Sequence, residues 1–217
     1  ARRVGRAGIS LPKDPPPSFV LGSIETTPLD LAGAFTVFND GRSVEPRGVS
    51  RIHGPKGRRI AAFAPKKTRA ASPATAYLIR DMMDDVVDEG TGRAAAISGL
   101  EVAGKTGSSS NLRDAWFVGQ AEGVVTVVWV GLDGGGRLGL TGGQAAAPLW
   151  RDFMEQAAKA RPLGETTPPS GIVSKRIDPQ TGLVVNDSFK NGEAEVFRRG
   201  AVPAHRRLWR KKAVVVE

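Results

Sequence analysis

The chain has 217 residues, of which 40% are apolar and 24% charged, a composition typical of a globular protein with one sizeable core. It contains no cysteine, which excludes disulfides and thiolate metal sites, and its two histidines are too far apart in sequence to indicate a metal site. We therefore predict no metal and no cofactor. No apolar run in the sequence reaches the length needed to span a membrane.

The net charge of +9 would favour a polyanionic partner. The basic residues that stand out lie near the two ends, between Arg2 and Arg6 and between Arg198 and Lys212. No nucleic-acid-binding module and no interleaved aromatic residues accompany them, so we expect a solvated basic tail and no nucleic-acid partner. No signal peptide opens the chain, and its start at Ala1 instead of methionine indicates a piece of something longer.

Helices are predicted where apolar residues recur at helical spacing, in two cases after a capping hydroxyl and a proline. Residues 1–8 are predicted to be the last turn of a helix that begins upstream, and the helices predicted after them are residues 27–39, 72–89 and 145–160. The predicted strands are residues 48–53, 59–64, a run around 105–107, then 114–120, 124–132 and 172–177. A turn is predicted directly after the last of them, at residues 178–182. From Arg161 the composition changes, and prolines and glycines predict a linker with a domain edge near residue 164.

Two of the predicted helices have faces of distinct polarity. The helix at 72–89 has an acidic run that we interpret as its solvated face, with a metal cluster as the alternative; the run is Asp81, Asp84, Asp85, Asp88 and Glu89. The last helix is expected to turn four apolar residues inward: Leu149, Phe153, Met154 and Ala157.

The stretch from Gly99 to Asp133 predicts three consecutive antiparallel strands joined by short links that suit hairpin turns. Its first strand carries Lys105, Thr106, Gly107 and Ser108. A lysine and hydroxyls offer a cation and donors to a carboxylate, and a strand glycine is usually kept where another backbone approaches closely. This pattern describes a groove edge that could hold an extended anionic ligand by strand addition.

The same letters also match the phosphate-loop pattern from Gly99 to Thr106, which makes a nucleotide-binding protein the first alternative. A phosphate loop must open a helix whose N-terminus faces the phosphates. The residues after Thr106 are glycine, serine and asparagine, which are poor helix formers, so the context argues for a strand. A catalytically silent wall-binding module is the second alternative.

Several motifs in order resemble the transpeptidase domain of class A, bifunctional penicillin-binding proteins. The matching stretches are Leu21-Gly22-Ser23, Thr27-Pro28-Leu29-Asp30-Leu31-Ala32, Gly90-Thr91-Gly92, Gly104-Lys105-Thr106-Gly107-Ser108-Ser109, Asp114-Ala115-Trp116-Phe117-Val118-Gly119, Val128-Trp129-Val130-Gly131-Leu132-Asp133, Thr141-Gly142-Gly143 and Ala147-Pro148-Leu149-Trp150. The resemblance implies an α+β fold of the penicillin-binding protein and serine β-lactamase type, with an antiparallel sheet packed by helices and incomplete at the N-terminus. Residues 1–164 would be the C-terminal half of that domain, and residues 165–217 a linker and basic extension with short strands.

The resemblance also implies the chemistry. A serine would attack the penultimate D-Ala carbonyl of a peptidoglycan stem peptide, or be trapped by a β-lactam. Lys105 would supply positive potential, and the hydroxyls of Thr106 and Ser108 would bind the substrate carboxylate. Gly107 would let the ligand backbone lie close, and the Ser108 backbone N–H would be one of two oxyanion-hole donors.

The family's other two motifs have no credible match. The one S-x-x-K match, Ser10 to Lys13, contains a proline that prevents the helix it needs, and the one S-x-N match, Ser109 to Asn111, lies beside the lysine motif. We therefore expect an inactive fragment without the nucleophile, with residues 124–132 as an exposed sheet edge. Its parent would have an upstream glycosyltransferase and the N-terminal half of the transpeptidase domain, and would be membrane-anchored with its catalytic part in the periplasm, outside the cytoplasm.

Overall fold

A computed structural model of the chain describes residues 2–121, 123–160 and 166–205, with the side chains of residues 2 and 3 left aside. The chain divides into two compact units, Ala1–Pro168 and Pro169–Glu217. The predicted domain edge near residue 164 and the basic residues from 206 to 212 lie outside the described residues. None of the described helices is long and apolar enough to cross a bilayer.

The first unit is α+β, as predicted. Its helices in the described residues are α1 (Arg2–Arg6), α2 (Pro28–Phe35), α3 (Val37–Asp40), α4 (Pro73–Asp88) and α5 (Gly142–Ala160). Its strands are β1 (Arg42–Val44), β2 (Arg51–His53), β3 (Arg59–Ala62), β4 (Lys67–Arg69), β5 (Ala103–Ser108), β6 (Asp114–Ala121) and β7 (Val124–Gly131). The second unit contains β8 (Ile172–Ile177) and β9 (Glu193–Arg198).

The three predicted consecutive strands form one antiparallel sheet in the order β5-β6-β7. Lys105 faces Val118 across the first pair, and Trp116 faces Trp129 across the second. In the sheet that the structure describes, β7 pairs with β6 alone, so it is an edge strand as predicted. Helix α2 lies against β7, and Trp129 on it is 44% exposed.

Strand periodicity places the core on one face of this sheet, because successive side chains point to opposite faces. Phe117 on β6 is fully buried and meets the ring of Trp150 on α5 edge-on, with centroids 5.3 Å apart. The indole N–H of Trp150 donates to the carbonyl oxygen of Thr126 on β7, at 3.0 Å. Burial of each of these rings contributes roughly 2–3 kcal/mol, so this contact holds α5 on the sheet.

The two predicted helix starts are confirmed. Thr27 caps α2 by accepting a hydrogen bond from the Asp30 N–H at 3.1 Å, and Ser72 caps α4 by accepting one from Thr75 at 3.1 Å. The first of these helices ends at Phe35, earlier than the predicted Asn39. At the break, the Thr36 hydroxyl donates to the Gly33 carbonyl at 2.6 Å and accepts from the backbone of β1 at 2.7 Å.

The last helix, α5, starts at Gly142, earlier than predicted, and its predicted inward face is wrong in part. Leu149 and Phe153 are 53% and 55% exposed, whereas Met154 is buried and Ala157 packs against the core, as predicted. The other buried side chains on this helix are Ala146, Ala147 and Trp150. The core face therefore follows the bulky indole and the alanines one turn before it, rotated away from the leucine and the phenylalanine.

The N-terminus of α5 sits directly on the sheet backbone. An added Cβ at Gly142 would overlap the carbonyl oxygen of Trp116 and lie 2.5 Å from that of Gly107. An added Cβ at Gly143 would overlap the carbonyl oxygen of Thr91. Gly142 therefore allows a contact between α5 and strands β5 and β6, and Gly143 allows one between α5 and the loop after α4, each of which a side chain would prevent.

The acidic helix α4 departs from its predicted solvated face at two residues. Asp85, Asp88 and Glu89 are exposed, but Asp81 and Asp84 are half-buried, and one oxygen of Asp84, Oδ1, has no hydrogen-bond partner. One turn earlier the guanidinium of Arg80 is 3% exposed and lies 4.0 Å from Glu101, just before β5. The alternative of a metal cluster finds no support, because no group of three potential ligands occurs among the described residues.

In the second unit the predicted strand at 172–177 and the turn after it are confirmed. Strand β8 pairs with β9 in antiparallel register. The turn is closed by Asp178, whose carboxylate accepts from the Gln180 N–H at 3.1 Å and from the Thr181 hydroxyl at 2.9 Å. This is the local hydrogen bonding for which aspartate is favoured in turns.

Replacing Gly142 by alanine should cost about 3 kcal/mol of unfolding free energy, because the added methyl group meets two backbone carbonyls that cannot rotate away. Urea unfolding followed by tryptophan fluorescence measures it. Gly48→Ala is the matched control, since Gly48 has nothing within 4 Å of an added Cβ. Equal midpoints for the two variants would contradict the close contact.

Replacing Asp84 by asparagine should flatten the dependence of stability on pH. Burial raises the pKa of the Asp84 carboxyl from 3.8 to about 7, with Arg80 opposing the shift and Glu101, Asp81 and Asp88 adding to it. The folded state then binds the proton more tightly than the unfolded state, so the free energy of unfolding falls as pH rises from about 4 to about 7.

In Asp84→Asn this fall should shrink by on the order of 1 kcal/mol, allowing for solvent screening. Urea midpoints at the two ends of that pH range measure it. The exposed neighbour supplies the control, since Asp85→Asn should keep the pH dependence of the parent chain. An unchanged slope in Asp84→Asn would show that this carboxyl titrates normally.

Candidate functional site

The four residues singled out in the sequence lie together on β5, the strand at the opposite edge of the sheet from β7. Alternation along the strand sends Lys105 and Gly107 to one face and Thr106 and Ser108 to the other. The contacts agree with this, since Gly107 faces Trp116 and the Ser108 hydroxyl meets the start of α5. The cation and the two hydroxyls thus flank the strand edge from opposite sides.

Lys105 is exposed, and its ammonium group donates to the carbonyl oxygen of the next residue, Thr106, at 3.0 Å. This bond holds the charge close to the strand backbone. An ammonium group has three donors, so two remain for other acceptors. The strand edge therefore presents a fixed positive charge.

Thr106 is paired with a residue to which the sequence reasoning gave no role. Its hydroxyl lies 2.7 Å from the hydroxyl of Thr91, in the loop after α4. The signal available in the sequence was the Gly90-Thr91-Gly92 stretch, in which glycines flank a hydroxyl. In a hydroxyl pair one group donates to the other, so one proton is left to donate to a ligand.

Ser108 has its side chain engaged within the chain. Its hydroxyl oxygen accepts a hydrogen bond from the Gly142 N–H at 3.0 Å, which satisfies a donor at the start of α5. The hydroxyl proton is not used in that bond and can be donated elsewhere. Ser108 therefore joins the strand edge to the helix terminus.

The backbone of β5 has free donors on its outer side. The Ser109 N–H donates to the carbonyl oxygen of Asp114 at 3.0 Å, toward β6. Because N–H directions alternate along an antiparallel strand, the N–H groups of Ser108 and Thr106 point away from β6. Within the described sheet no strand pairs with that edge of β5, so these N–H groups can donate hydrogen bonds to an added strand.

The glycine at 107 is accounted for within the chain. An added Cβ would lie 3.2 Å from the Cβ of Trp116, closer than is usual. Trp116 in turn lies 6.1 Å, centroid to centroid, from Trp129, whose indole N–H donates to Asp114 at 3.0 Å. Sequence reasoning did not assign this aromatic pair, although Trp116 and Trp129 both lie in the matching motifs. The predicted close approach of a ligand at Gly107 stays a prediction.

The link between β5 and β6 carries backbone strain beside the site. Asn111 and Leu112 have φ of 61° and 52°, values that residues other than glycine adopt at a cost. The loop is held by the Ser109 hydroxyl, which accepts from the Asp114 N–H at 2.8 Å, and by the Gly139 N–H, which donates to the Leu112 carbonyl at 3.0 Å. The loop conformation at the end of the strand is therefore fixed.

The phosphate-loop alternative is wrong. It requires a helix from Lys105 onward, but residues 103–108 are a strand, and the single turn after it, Ser110–Leu112, is broken at Asn111. The S-x-x-K match behaves as predicted, because Ser10 and Lys13 lie in an irregular segment with no helix to bring them onto one face. The prediction that the nucleophile belongs to a part outside this chain stays a prediction.

Comparison with known proteins bears on the whole of this unit. The family model described as the penicillin-binding protein transpeptidase domain matches residues 12–155. Penicillin-binding protein 1A of Neisseria cinerea is 38% identical over 188 residues, which covers 79% of this chain and 24% of that protein. Penicillin-binding protein 1A of Pseudomonas aeruginosa is 32% identical and covers 86% of this chain and 29% of that protein.

Solved structures agree in fold. Penicillin-binding protein 1A of Haemophilus influenzae superposes with a TM-score of 0.75 at 26% identity, over 88% of this chain and 34% of that one. The D,D-transpeptidase domain from Eggerthella lenta superposes with a TM-score of 0.55 at 32% identity, over 63% of this chain and 33% of that one.

The chain thus spans about a quarter of the length of the curated relatives it matches. The matched residues include the β5 edge, the α5 terminus and the aromatic pair described above. The chain belongs to the penicillin-binding protein transpeptidase family and, as its motifs predicted, to the class A type.

Proposed function

We propose that this chain contributes the substrate-carboxylate strand of a D,D-transpeptidase that cross-links peptidoglycan by serine acyl transfer. The observation that carries the proposal is the outer edge of β5. There an ammonium group, two hydroxyls and two outward N–H groups lie within four consecutive residues. Such an edge suits an extended peptide that ends in a carboxylate, as stem peptides ending in D-Ala-D-Ala do.

Each residue has a role that its geometry permits. Lys105 provides positive potential beside the carboxylate and the reacting carbonyl, and stays near the backbone through its bond to Thr106. The Thr106 hydroxyl, oriented by Thr91, donates to the substrate carboxylate, and the Ser108 hydroxyl adds a second donor. The outward N–H of Ser108 would stabilise the oxyanion as the carbonyl carbon becomes tetrahedral.

The reaction itself divides into two acyl transfers. A serine oxygen attacks the penultimate D-Ala carbonyl, the bond to the terminal D-Ala breaks, and the departing amine takes up a proton. An amine on a neighbouring stem peptide then attacks the acyl-enzyme, and the serine regains its proton. A β-lactam follows the first step and stops there. We assign the serine to a part of the parent protein that precedes these residues.

The parent protein acts, in this proposal, at the extracytoplasmic face of the cell membrane. Peptidoglycan stem peptides and β-lactams are its ligands. An upstream glycosyltransferase domain and the N-terminal half of the transpeptidase domain are its other parts. The support is the relationship to penicillin-binding proteins 1A, of which this chain covers about a quarter.

The 217-residue chain alone should not be acylated by a fluorescent penicillin, because no described serine lies one helical turn from a lysine on a helix. Denaturing gel electrophoresis after incubation measures covalent label. The full-length parent should be labelled under the same conditions. A labelled band for the isolated chain would mean that it carries its own nucleophile.

In the full-length parent, Lys105→Ala should lower the second-order rate of acylation by roughly a hundredfold, the scale of losing one charge-stabilising donor at such a site. Lys175→Ala, an exposed lysine in the second unit, is the matched control and should leave that rate unchanged. A wild-type acylation rate in Lys105→Ala would contradict the role of this strand. Covalent labelling of the parent protein by the penicillin, without binding to cell-wall glycan, would argue against the alternative of a catalytically silent wall-binding module.

A further inference from the structure

One internal segment, away from the termini, is strongly basic. Residues 42–69, here called the basic arm, hold nine lysines and arginines against one carboxylate, Glu45. All nine are exposed. The chain has one other strongly basic segment, residues 198–212, with seven lysines and arginines and no carboxylate. The arm therefore carries the larger of two local excesses of positive charge.

The arm is an interrupted antiparallel hairpin with an anchored root and a solvated tip. At the root β1 pairs with β4, and the Ser43 hydroxyl donates to the Arg6 carbonyl oxygen at 2.9 Å. At the tip β2 pairs with β3, and every position of the two strands is exposed except Ala61, which is half-exposed. A two-stranded hairpin without a covered face is only marginally stable in water, which points to a partner.

Large apolar side chains are interspersed among the cations of the arm. Val49, Ile52, Ile60 and Phe63 are between 43% and 59% exposed. Val49 and Phe63 also line an open groove of about 380 Å³, and the charged residues in its lining are Arg47, Lys66 and Glu45. The groove thus combines apolar side chains with a net positive charge, which suits an amphiphile that has a negative headgroup.

We propose that the basic arm binds the surface of a bilayer rich in anionic lipids, with its apolar side chains inserted among the headgroups and its lysines and arginines on the phosphates. Charge complementarity selects an anionic partner, since the arm carries eight positive charges in excess. The exposed isoleucines and the phenylalanine select a lipid over a soluble polyanion, because a soluble polyanion offers nothing for them to bury against.

The proposal that the arm binds a membrane does not depend on the transpeptidase assignment. Membrane binding by the arm would hold the unit that contains β5 at the bilayer surface. Two of its cations have carboxylate neighbours, Arg42 with Asp40 at 3.5 Å and Lys66 with Glu45 at 3.3 Å. Arg51, Arg58 and Arg59, at or beside the tip strands, are exposed and form the centre of the proposed contact.

Cosedimentation of the 217-residue chain with vesicles tests the proposal. Vesicles of phosphatidylcholine with phosphatidylglycerol should bind the chain, pure phosphatidylcholine should bind it weakly, and added salt should weaken binding. Removing three charges from the arm, in Arg51→Gln with Arg58→Gln and Arg59→Gln, should lower the partition coefficient by about a hundredfold. Removing three from the tail, in Arg206→Gln with Arg207→Gln and Arg210→Gln, should lower it far less. An equal loss from both triple variants, or loss from the tail variant alone, would overturn the proposal.

A second pair of variants separates a bilayer from a soluble polyanion. Ile52→Ser with Ile60→Ser should weaken vesicle binding and leave binding to polyphosphate unchanged. Ile79→Ser with Met82→Ser removes two exposed apolar side chains from α4 and should leave vesicle binding unchanged. All four positions are exposed, so circular dichroism melts should match the parent chain. If Ile52→Ser with Ile60→Ser bound vesicles as the parent chain does, the charges of the arm alone would account for binding. The assignment of a lipid bilayer as the partner would then fail.

Discussion

The candidate site depends on one contact, the seating of the α5 N-terminus on the backbone between β5 and β6. Gly142 leaves room for the carbonyls of Gly107 and Trp116, and its N–H is satisfied by the Ser108 hydroxyl. The middle of α5 is held by Trp150, which packs on Phe117 and donates a hydrogen bond to the backbone of β7. The strand that carries the lysine is therefore fixed from its core side over its whole length.

This arrangement explains how four adjacent residues can serve different purposes. Because side chains alternate along the strand, Ser108 contacts α5 and Thr106 contacts Thr91 on one face, while Lys105 lies on the opposite face. The backbone N–H groups remain on the edge. A flexible loop with the same residues would have to order itself around each ligand and lose affinity for it. The sheet holds these residues in place before a ligand binds, so binding does not lose free energy in ordering them.

The sequence predicted the central sheet, both helix caps and the turn at Asp178 because each rests on local rules of periodicity, capping and turn chemistry. It did not predict the buried face of α5, because a stripe containing leucine and phenylalanine looks as apolar as one containing alanine and tryptophan. The burial of Asp84 depends on how α4 meets the residues before β5, which is a tertiary matter. The short β1 and β4 escaped notice because their pairing is non-local and their residues are mostly polar.

Strand β7 has a further consequence for the chain as a molecule in solution. Its eight residues contain no charge and no proline, and in the described sheet one side of its backbone is unpaired. Natural sheets protect such edges with lysine, proline or a bulge, and a bare apolar edge is a template for cross-β stacking. Without a strand to cover the free edge of β7, this protein should remain monomeric only in dilute solution. At higher concentration, soluble monomer should be lost first through fibril-like self-association.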